Sequence, residues 1–387
     1  MSTIPAAVAA FVVTMMAMLT LRPVAVAINL VDRPGGRKTH HGKVPIVGGL
    51  AMFLGVVFGV GLIDPIRPIS GSLLSAFALV VTVGMVDDRF SVSPWLRLPL
   101  QAAAAMLISL GTGTEVLSLG NPFGTGLIHF HGLLGHGLTI LFVMTAINAF
   151  NMLDGMDGLA GTIAFVSLLA LGWAALHSGQ ADIAAACLVI SAATAAFLLF
   201  NLPTRRNRRV RCFMGDAGST LLGVSLAWVS IRVSQYPAGP PAIGGTVGLS
   251  PVATLWVVGL PIFEFFWTII RRSIRGQSPL RADAEHFHHL LLRAGFSVRG
   301  AFMMFLMLTV VLAAVGLALN ALQVPETISL LLLLAAGVAV VRSMYSAQSL
   351  LRFFPDRARR RSQWQPPQDM APSLAAKRRG LQGLPKR

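Results

Sequence analysis

The stretch ISGSLLSAFALVVTVGMVDDRF, Ile69 to Phe90, decides how the chain is read. From Ile69 to Val86 it carries no charge, and then Asp87 and Asp88 arrive side by side. An uncharged run of this length suits a helix crossing hydrocarbon, which needs about 20 apolar residues. Two adjacent carboxylates at its end repel each other where water screens them poorly. Something must make that pair tolerable.

Composition extends the same reading to the whole chain. Over 387 residues, 55% are hydrophobic and 12% charged, against about 25% charged in soluble domains. Mean hydropathy is +0.71. A single water-soluble core is excluded. Strand-sized alternating segments, the mark of a membrane barrel, are absent. Helices remain, because each satisfies its own backbone hydrogen bonds in lipid. Eleven apolar segments can be drawn, at 4–22, 46–63, 69–86, 95–111, 132–150, 158–177, 181–202, 213–233, 250–270, 301–321 and 327–345. The fifth is the weakest, because His129, His131 and His136 crowd its start. The first lacks the basic start of a signal peptide. The expected fold is all-α and polytopic, with about 11 transmembrane helices over residues 1–345. A basic cytoplasmic tail, 346–387, rich in Pro and Gln, is expected to be disordered.

Basic residues favour the cytoplasmic side. With the N-terminus outside, 28 of the 31 Lys/Arg fall in inside loops or the tail, and Arg22 lies near the inner end of the first span. Arg67 and Arg232 alone are left outside. The C-terminus is then cytoplasmic. The net charge of +16 reads as topology and attraction to anionic lipid, not as nucleic-acid binding. Cys187 and Cys212 suggest neither a disulfide nor a metal framework.

The 15 acidic residues carry the most information. Asp64, Glu115, Asp182 and Glu326 fall in outside loops, and Glu264 falls within the ninth segment. The other ten lie on the inner side. A transporter more often places its ionisable groups near mid-bilayer. Here the pattern suits chemistry at the inner surface, on something arriving from the cytoplasm. Glu264 stands two helical turns before Arg271 and Arg272, so it pairs there or supports the site.

Three acid clusters stand out. Asp87 and Asp88 close the third segment. NAFNMLDGMDGLAG, Asn148 to Gly161, holds Asp154 and Asp157 three apart, a spacing that shares one face of a helical turn. FMGDAGSTLLG, Phe213 to Gly223, carries Asp216 among small residues. Each alone reads as a cap or a turn. Together, in a chain so poor in acid, they read as a cation and phosphate site. Mg²⁺ takes hard oxygen ligands, typically one or two carboxylates plus substrate phosphates. The last inside loop, SPLRADAEHFHHLLLRAGFS from Ser278 to Ser297, sets His286, His288 and His289 after Asp283 and Glu285. With no Cys and two adjacent His, it suits phosphate binding or acid/base work better than zinc.

With DRPGGRKTHHGKVPIVGG, Asp32 to Gly49, these blocks resemble the polyprenyl-phosphate N-acetylhexosamine-1-phosphate transferase family over about residues 30–305. HFHHLLLRAGFS is similar to the GlcNAc-type branch rather than to the branch that moves phospho-MurNAc-pentapeptide. The resemblance implies transfer of GlcNAc-1-phosphate from UDP-GlcNAc to undecaprenyl phosphate, with release of UMP. The product would be a lipid-diphospho-sugar that initiates cell-surface glycan synthesis. It implies Mg²⁺ or Mn²⁺, a multi-pass protein of the bacterial inner membrane working at the cytoplasmic face, and allows a homodimer.

By the same resemblance, Asp216 is the metal ligand with Asp88 beside it, and Asp87 is the base for the lipid phosphate. Asn151, Asp154 and Asp157 lie on the nucleotide side, and Phe213 stacks on uracil. His286, His288 and His289 act on the diphosphate, and Lys38, His40 and Asp283 bind substrate. Two other readings stand beside this one: the same chemistry with another UDP-HexNAc or with phospho-MurNAc-pentapeptide, or a non-enzymatic lipid transporter or scaffold.

Overall fold

A computed structural model describes residues 3–32, 44–63, 69–202, 211–235, 248–278 and 285–350. The helices are α1 (Thr3–Ala27), α2 (Gly48–Ile63), α3 (Ile69–Phe90), α4 (Pro94–Gly111), α5 (Leu133–Leu153), α6 (Leu159–His177), α7 (Ala181–Asn201), α8 (Gly215–Gln235), α9 (Pro251–Val257), α10 (Gly259–Ile274), α11 (Phe287–Arg293), α12 (Val298–Ala321) and α13 (Glu326–Leu350). Two short antiparallel hairpins join them: β1 (Val31–Asp32) with β2 (Val44–Pro45), and β3 (Ser118–Gly120) with β4 (Ile128–His129). Most of the expected tail lies outside the described residues. α13 runs five residues past the expected tail boundary, to Leu350.

α8 is the axis of the bundle. It is buried almost all round from Ala217 to Ile231 and is packed by α2, α3, α5 and α6. A helix with no solvent or lipid face is built from small and apolar residues, and α8 opens GDAGSTLLG. Without a hydrophobic effect in lipid, helices associate by close packing of small residues. Gly84 of α3 lies directly on the backbone of Asp216 and Ala217, Gly49 of α2 lies on Ala217 and Gly218, and Gly223 meets Ala146 and Ile147 of α5. None of these three positions has room for a Cβ. Gly84→Val should wedge α3 off α8 at a cost of about 1–3 kcal/mol. A lowered unfolding midpoint in detergent would show it; an unchanged one would mean the two helices can separate freely.

Among the described residues, eight helices are long and apolar enough to cross a membrane, and a ninth crossing is supplied by α9 and α10 if that bent pair counts as one. This is fewer than the eleven segments. α2 has only 16 residues. α4 carries Arg97, Gln101 and two prolines within 18 residues. The ninth segment is not one straight span, because α9 and α10 meet at 84°. The sequence there reads VVGLP, and Pro261 can neither donate a backbone hydrogen bond nor fit a helix interior. Ser167 of α6 donates to the Val257 carbonyl at the break (3.0 Å), so the freed acceptor is satisfied inside the protein. α10 then turns Glu264, Thr268, Arg271 and Arg272 inward and leaves Phe266, Ile270 and Ile274 exposed.

The two ends of the bundle differ. At one end, Gln235 accepts the N–H groups of Leu117 and Ser118, and Glu326 accepts from the Asn121 N–H. Glu115, Asp182 and Glu326 sit at this end. Asp87, Asp88, Asp154, Asp157, Asp216 and Glu285 gather at the other, together with the β1–β2 hairpin.

Candidate active site

The acid pair of α3 is split between two partners. Asp88 Oδ1 accepts the Asp216 N–H (2.9 Å), and Oδ2 accepts the Ala217 N–H (3.4 Å). These are first-turn N–H groups of α8, which have no partner within their own helix and form its positive end. Gly215, at φ +70°, makes the approach, because a Cβ there would run into the Asp88 carboxylate and Ile46. Asp87 turns the other way. It accepts the Val92 N–H (2.7 Å) and is ion-paired to Arg97 of α4. The adjacent carboxylates are tolerated because a helix terminus holds one and a guanidinium holds the other.

Arg97 also stands 3.6 Å from Asp216. Asn151 Nδ2, from the last turn of α5, donates to Asp216 Oδ1 (2.7 Å) and lies 3.2 Å from Ser219 Oγ. Asp216 keeps 37% of its side-chain surface exposed. An open pocket is lined by Asp87, Arg97, Asn151 and Asp216 on its polar side and by Val80, Val83 and Leu100 on its apolar side. Asn148, one turn before Asn151, donates to Gln101 (2.7 Å) in the cavity wall.

Asp154 and Asp157 do not share a helical face. α5 ends at Leu153, and Gly158 at φ +73° starts α6, so the segment between them is a loop. The two glycines that invited a close approach also break the helix. The acids diverge as a result. Asp157 is ion-paired to Arg211, whose guanidinium lies 5.3 Å above the Phe213 ring. Asp154 is pushed up to about 7, first by burial and then by the charge of Asp88. Asn201 ties the two motif loops together, accepting the Gly158 N–H (2.5 Å) and donating to the Cys212 carbonyl (2.9 Å). Phe213 is fixed by its N–H to the Pro45 carbonyl (2.9 Å) and by the Gly48 N–H to its own carbonyl (3.0 Å).

The histidine block reaches this loop from below. His288 is 1% exposed, and neither ring nitrogen has a hydrogen-bond partner among the described residues. Burial holds its pKa well below the usual value, reinforced by His289, His286 and Arg293, so the ring is neutral at pH 7. Gly155 lies on the imidazole of His288 with no room for a Cβ. Gly155→Ala should therefore displace His288 and slow turnover by about tenfold or more, by analogy with the loss of an outer-shell contact. Catalysis at the wild-type rate would place His288 outside the chemistry. Arg275 (2.7 Å) and Arg271 (3.2 Å) hold Glu285. Lys38, His40 and Asp283 lie outside the described residues.

Sequence reasoning passed over four contributors. Arg97 was counted as one more loop cation, although it and Gln101 are polar residues four apart in an apolar segment. Asn148 and Asn201 sit at the ends of apolar spans, where an amide that must be hydrogen-bonded is a visible signal.

The family model described as "Glycosyl transferase family 4" matches residues 70–234, which span α3 to α8. Proteins named undecaprenyl-phosphate alpha-N-acetylglucosaminyl 1-phosphate transferase are similar over nearly the whole chain. The one from Escherichia coli (strain K12) is 36% identical over 347 residues, 88% of this chain and 92% of its own. That from Yersinia pestis is 36% identical, over 89% and 93%. That from Pasteurella multocida (strain Pm70) is 33% identical, over 87% and 90%. At this identity and coverage, with the acid clusters and the histidine block gathered at one end of the bundle, the chain belongs to the polyprenyl-phosphate N-acetylhexosamine-1-phosphate transferase family.

Proposed function

We propose that the protein transfers GlcNAc-1-phosphate from UDP-GlcNAc to undecaprenyl phosphate, releasing UMP. The observation that carries this reading is the meeting of Asp87, Asp216, Arg97 and Asn151 with Val80, Val83 and Leu100 in the lining of one open pocket. One substrate is a soluble anion and the other a lipid anion, so the site must be polar on one side and apolar on the other. The relatives' names support the sugar and the lipid.

A phosphate oxygen of the lipid attacks the sugar-bearing β-phosphorus. The bond from that phosphorus to the oxygen of UMP breaks, and UMP leaves with the electron pair. The glycosidic bond is untouched, so the anomeric configuration is retained. Such transfer depends on positioning and charge neutralisation. Arg97 is drawn to the incoming phosphate, which loosens its hold on Asp87. Asp87 and Asp154 are then the two acids able to accept the lipid phosphate's proton. Phe213 offers a flat face to uracil, and His286, His288 and His289 offer ring nitrogens to the diphosphate.

The donor set suits Mg²⁺ or Mn²⁺. Among the described residues no three His, Cys, Asp or Glu side chains form a closed metal cage. The carboxylates of Asp87 and Asp216 nevertheless share the Arg97 guanidinium, and that of Asp88 lies on the backbone N–H of Asp216. That surplus of hard anionic oxygen suits a cation whose shell is completed by water and substrate phosphates. Asp216, with Asp88 beside it, would hold the cation. When bound, it would neutralise the diphosphate and make the β-phosphorus easier to attack.

The acid-rich end is assigned to the cytoplasmic face of a bacterial inner membrane, with the N-terminus outside and the C-terminus inside. Nine or eleven crossings both put the termini on opposite sides. Arg89, Arg97, Arg211, Arg271, Arg272 and Arg275 sit at the acid end, whereas Arg232 lies in the last turn of α8 at the other. The site is drawn from one chain, so each copy of a homodimer would carry its own.

The test uses purified protein in detergent with undecaprenyl phosphate, Mg²⁺ and radiolabelled UDP-GlcNAc, with and without EDTA. Label passing into a butanol-extractable lipid, dependent on metal and reversed by UMP, is the expected result. Label accepted only from another UDP-sugar would keep the mechanism and change the substrate. No lipid labelling with any sugar nucleotide, from well-folded protein, would overturn the reading.

A further inference from the structure

Glu264 is a fully buried acid that neither the motifs nor the proposed chemistry employ. It lies on α10, the second limb of the broken span, and is 0% exposed. It stands seven residues before Arg271, close enough along a helix to invite pairing, yet its partners are elsewhere. Oε1 lies 3.2 Å from His286 Nδ1 and accepts the Phe287 N–H at 3.2 Å. Oε2 is buried with no hydrogen bond from the described residues. Arg271 instead donates to the Glu285 carbonyl (2.6 Å). Three consecutive residues of the histidine segment, Glu285, His286 and Phe287, are thus held by α10.

A buried carboxylate with a bare oxygen is costly unless a neighbour balances it. The balancing group is the His286 imidazole, which is 13% exposed. At 3.2 Å the contact is not aligned as a hydrogen bond, but a small rotation of the ring would align it, and a carboxylate beside Nδ1 favours the tautomer with the proton on that nitrogen. The ring also lies parallel to His288, at 3° and 5.9 Å, and His288 rests on the Gly155 loop that carries Asp154. The His286 ring thus lies beside the ring that rests on the Asp154 loop.

We propose that Glu264 is a positioning residue that sets the tautomer and orientation of His286. The proposal rests on the transferase reading and deepens its histidine end. Glu264→Gln keeps the shape and can still accept the Phe287 N–H, but loses the charge. Turnover should fall about 10- to 100-fold, the usual loss when an outer-shell partner is removed. KM for UDP-GlcNAc should stay within about threefold, because ground-state binding is not what the carboxylate supplies.

The decisive measurement is a double-mutant cycle in the lipid-labelling assay, with unfolding midpoints taken for every variant. If Glu264 acts through His286, adding Glu264→Gln to His286→Ala lowers turnover no further. Losses that multiply would overturn the proposal, and so would Glu264→Gln turning over at the wild-type rate. A matching drop in unfolding midpoint that carries the loss equally into the His286→Ala background would mean a purely structural role, and would also overturn it. Absence of lipid labelling in the wild type would instead refute the transferase reading beneath it.

Discussion

Asp216→Asn should cut lipid labelling by roughly 100- to 1,000-fold, the loss expected when one preorganised charge-stabilising group is removed from a reacting centre. The fold should barely register the change. The backbone N–H of residue 216, which binds Asp88, is untouched by the substitution. Arg97 keeps its stronger partner, Asp87. The side-chain oxygen of asparagine can still accept from Asn151. What disappears is one negative charge in the lining of the pocket, where the proposed reaction would bring a cation and two phosphates together. The unfolding midpoint should shift by no more than a few degrees, and raising Mg²⁺ or Mn²⁺ should recover part of the activity if the loss is one of cation affinity. Asp216→Asn protein that labels lipid at the wild-type rate would sink the site assignment. It would leave Asp216 as an ordinary first-turn acid of α8.

Much of this site was readable because charge is rare in the chain. A carboxylate at the end of an apolar run is conspicuous, so Asp87, Asp88, Asp154, Asp157 and Asp216 could be picked out before any geometry was known. What composition could not supply was direction. Nothing in VDDRF says that Asp88 faces the start of α8 while Asp87 faces Arg97, because both partners come from other elements. Spacing misled where glycine intervened. A separation of three suggests a shared helical face, but Gly155 and Gly158 end one helix and open the next, so Asp154 and Asp157 part. Hydropathy drew eleven segments where eight or nine helices among the described residues are long and apolar enough to cross, because a window of apolar residues does not register that α2 is short or that Pro261 bends its segment by 84°. Glu264 was ambiguous for a related reason. Sequence spacing reveals helical neighbours such as Arg271, whereas its partner is His286, on a separate element.

Asp154 gives the clearest pH prediction. Its carboxyl titrates near 7 because burial, and secondarily the charge of Asp88, oppose ionisation. An acid with a pKa close to the working pH is well matched to accepting a proton in a transition state. Turnover at saturating substrates should therefore rise with pH through about 7 and level off above it. Asp154→Asn should lower turnover by roughly 100-fold or more, within the usual range for a general base, and the remainder should lose that limb. Asp88→Asn removes the second cause and leaves the first, so the limb should move to lower pH without returning to the ordinary carboxylate range. Stability should run the opposite way. A folded-state pKa above the unfolded one means that the native protein holds this proton more tightly. The contribution is then fully present below the ordinary carboxylate range and is lost as pH rises through about 7. Asp154→Asn, which cannot ionise, should flatten that part of the unfolding midpoint's dependence on pH. A wild-type limb surviving in Asp154→Asn with more than a tenth of the rate would mean that the proton goes elsewhere. Asp87, released as Arg97 swings to the incoming phosphate, would then be the acid to test.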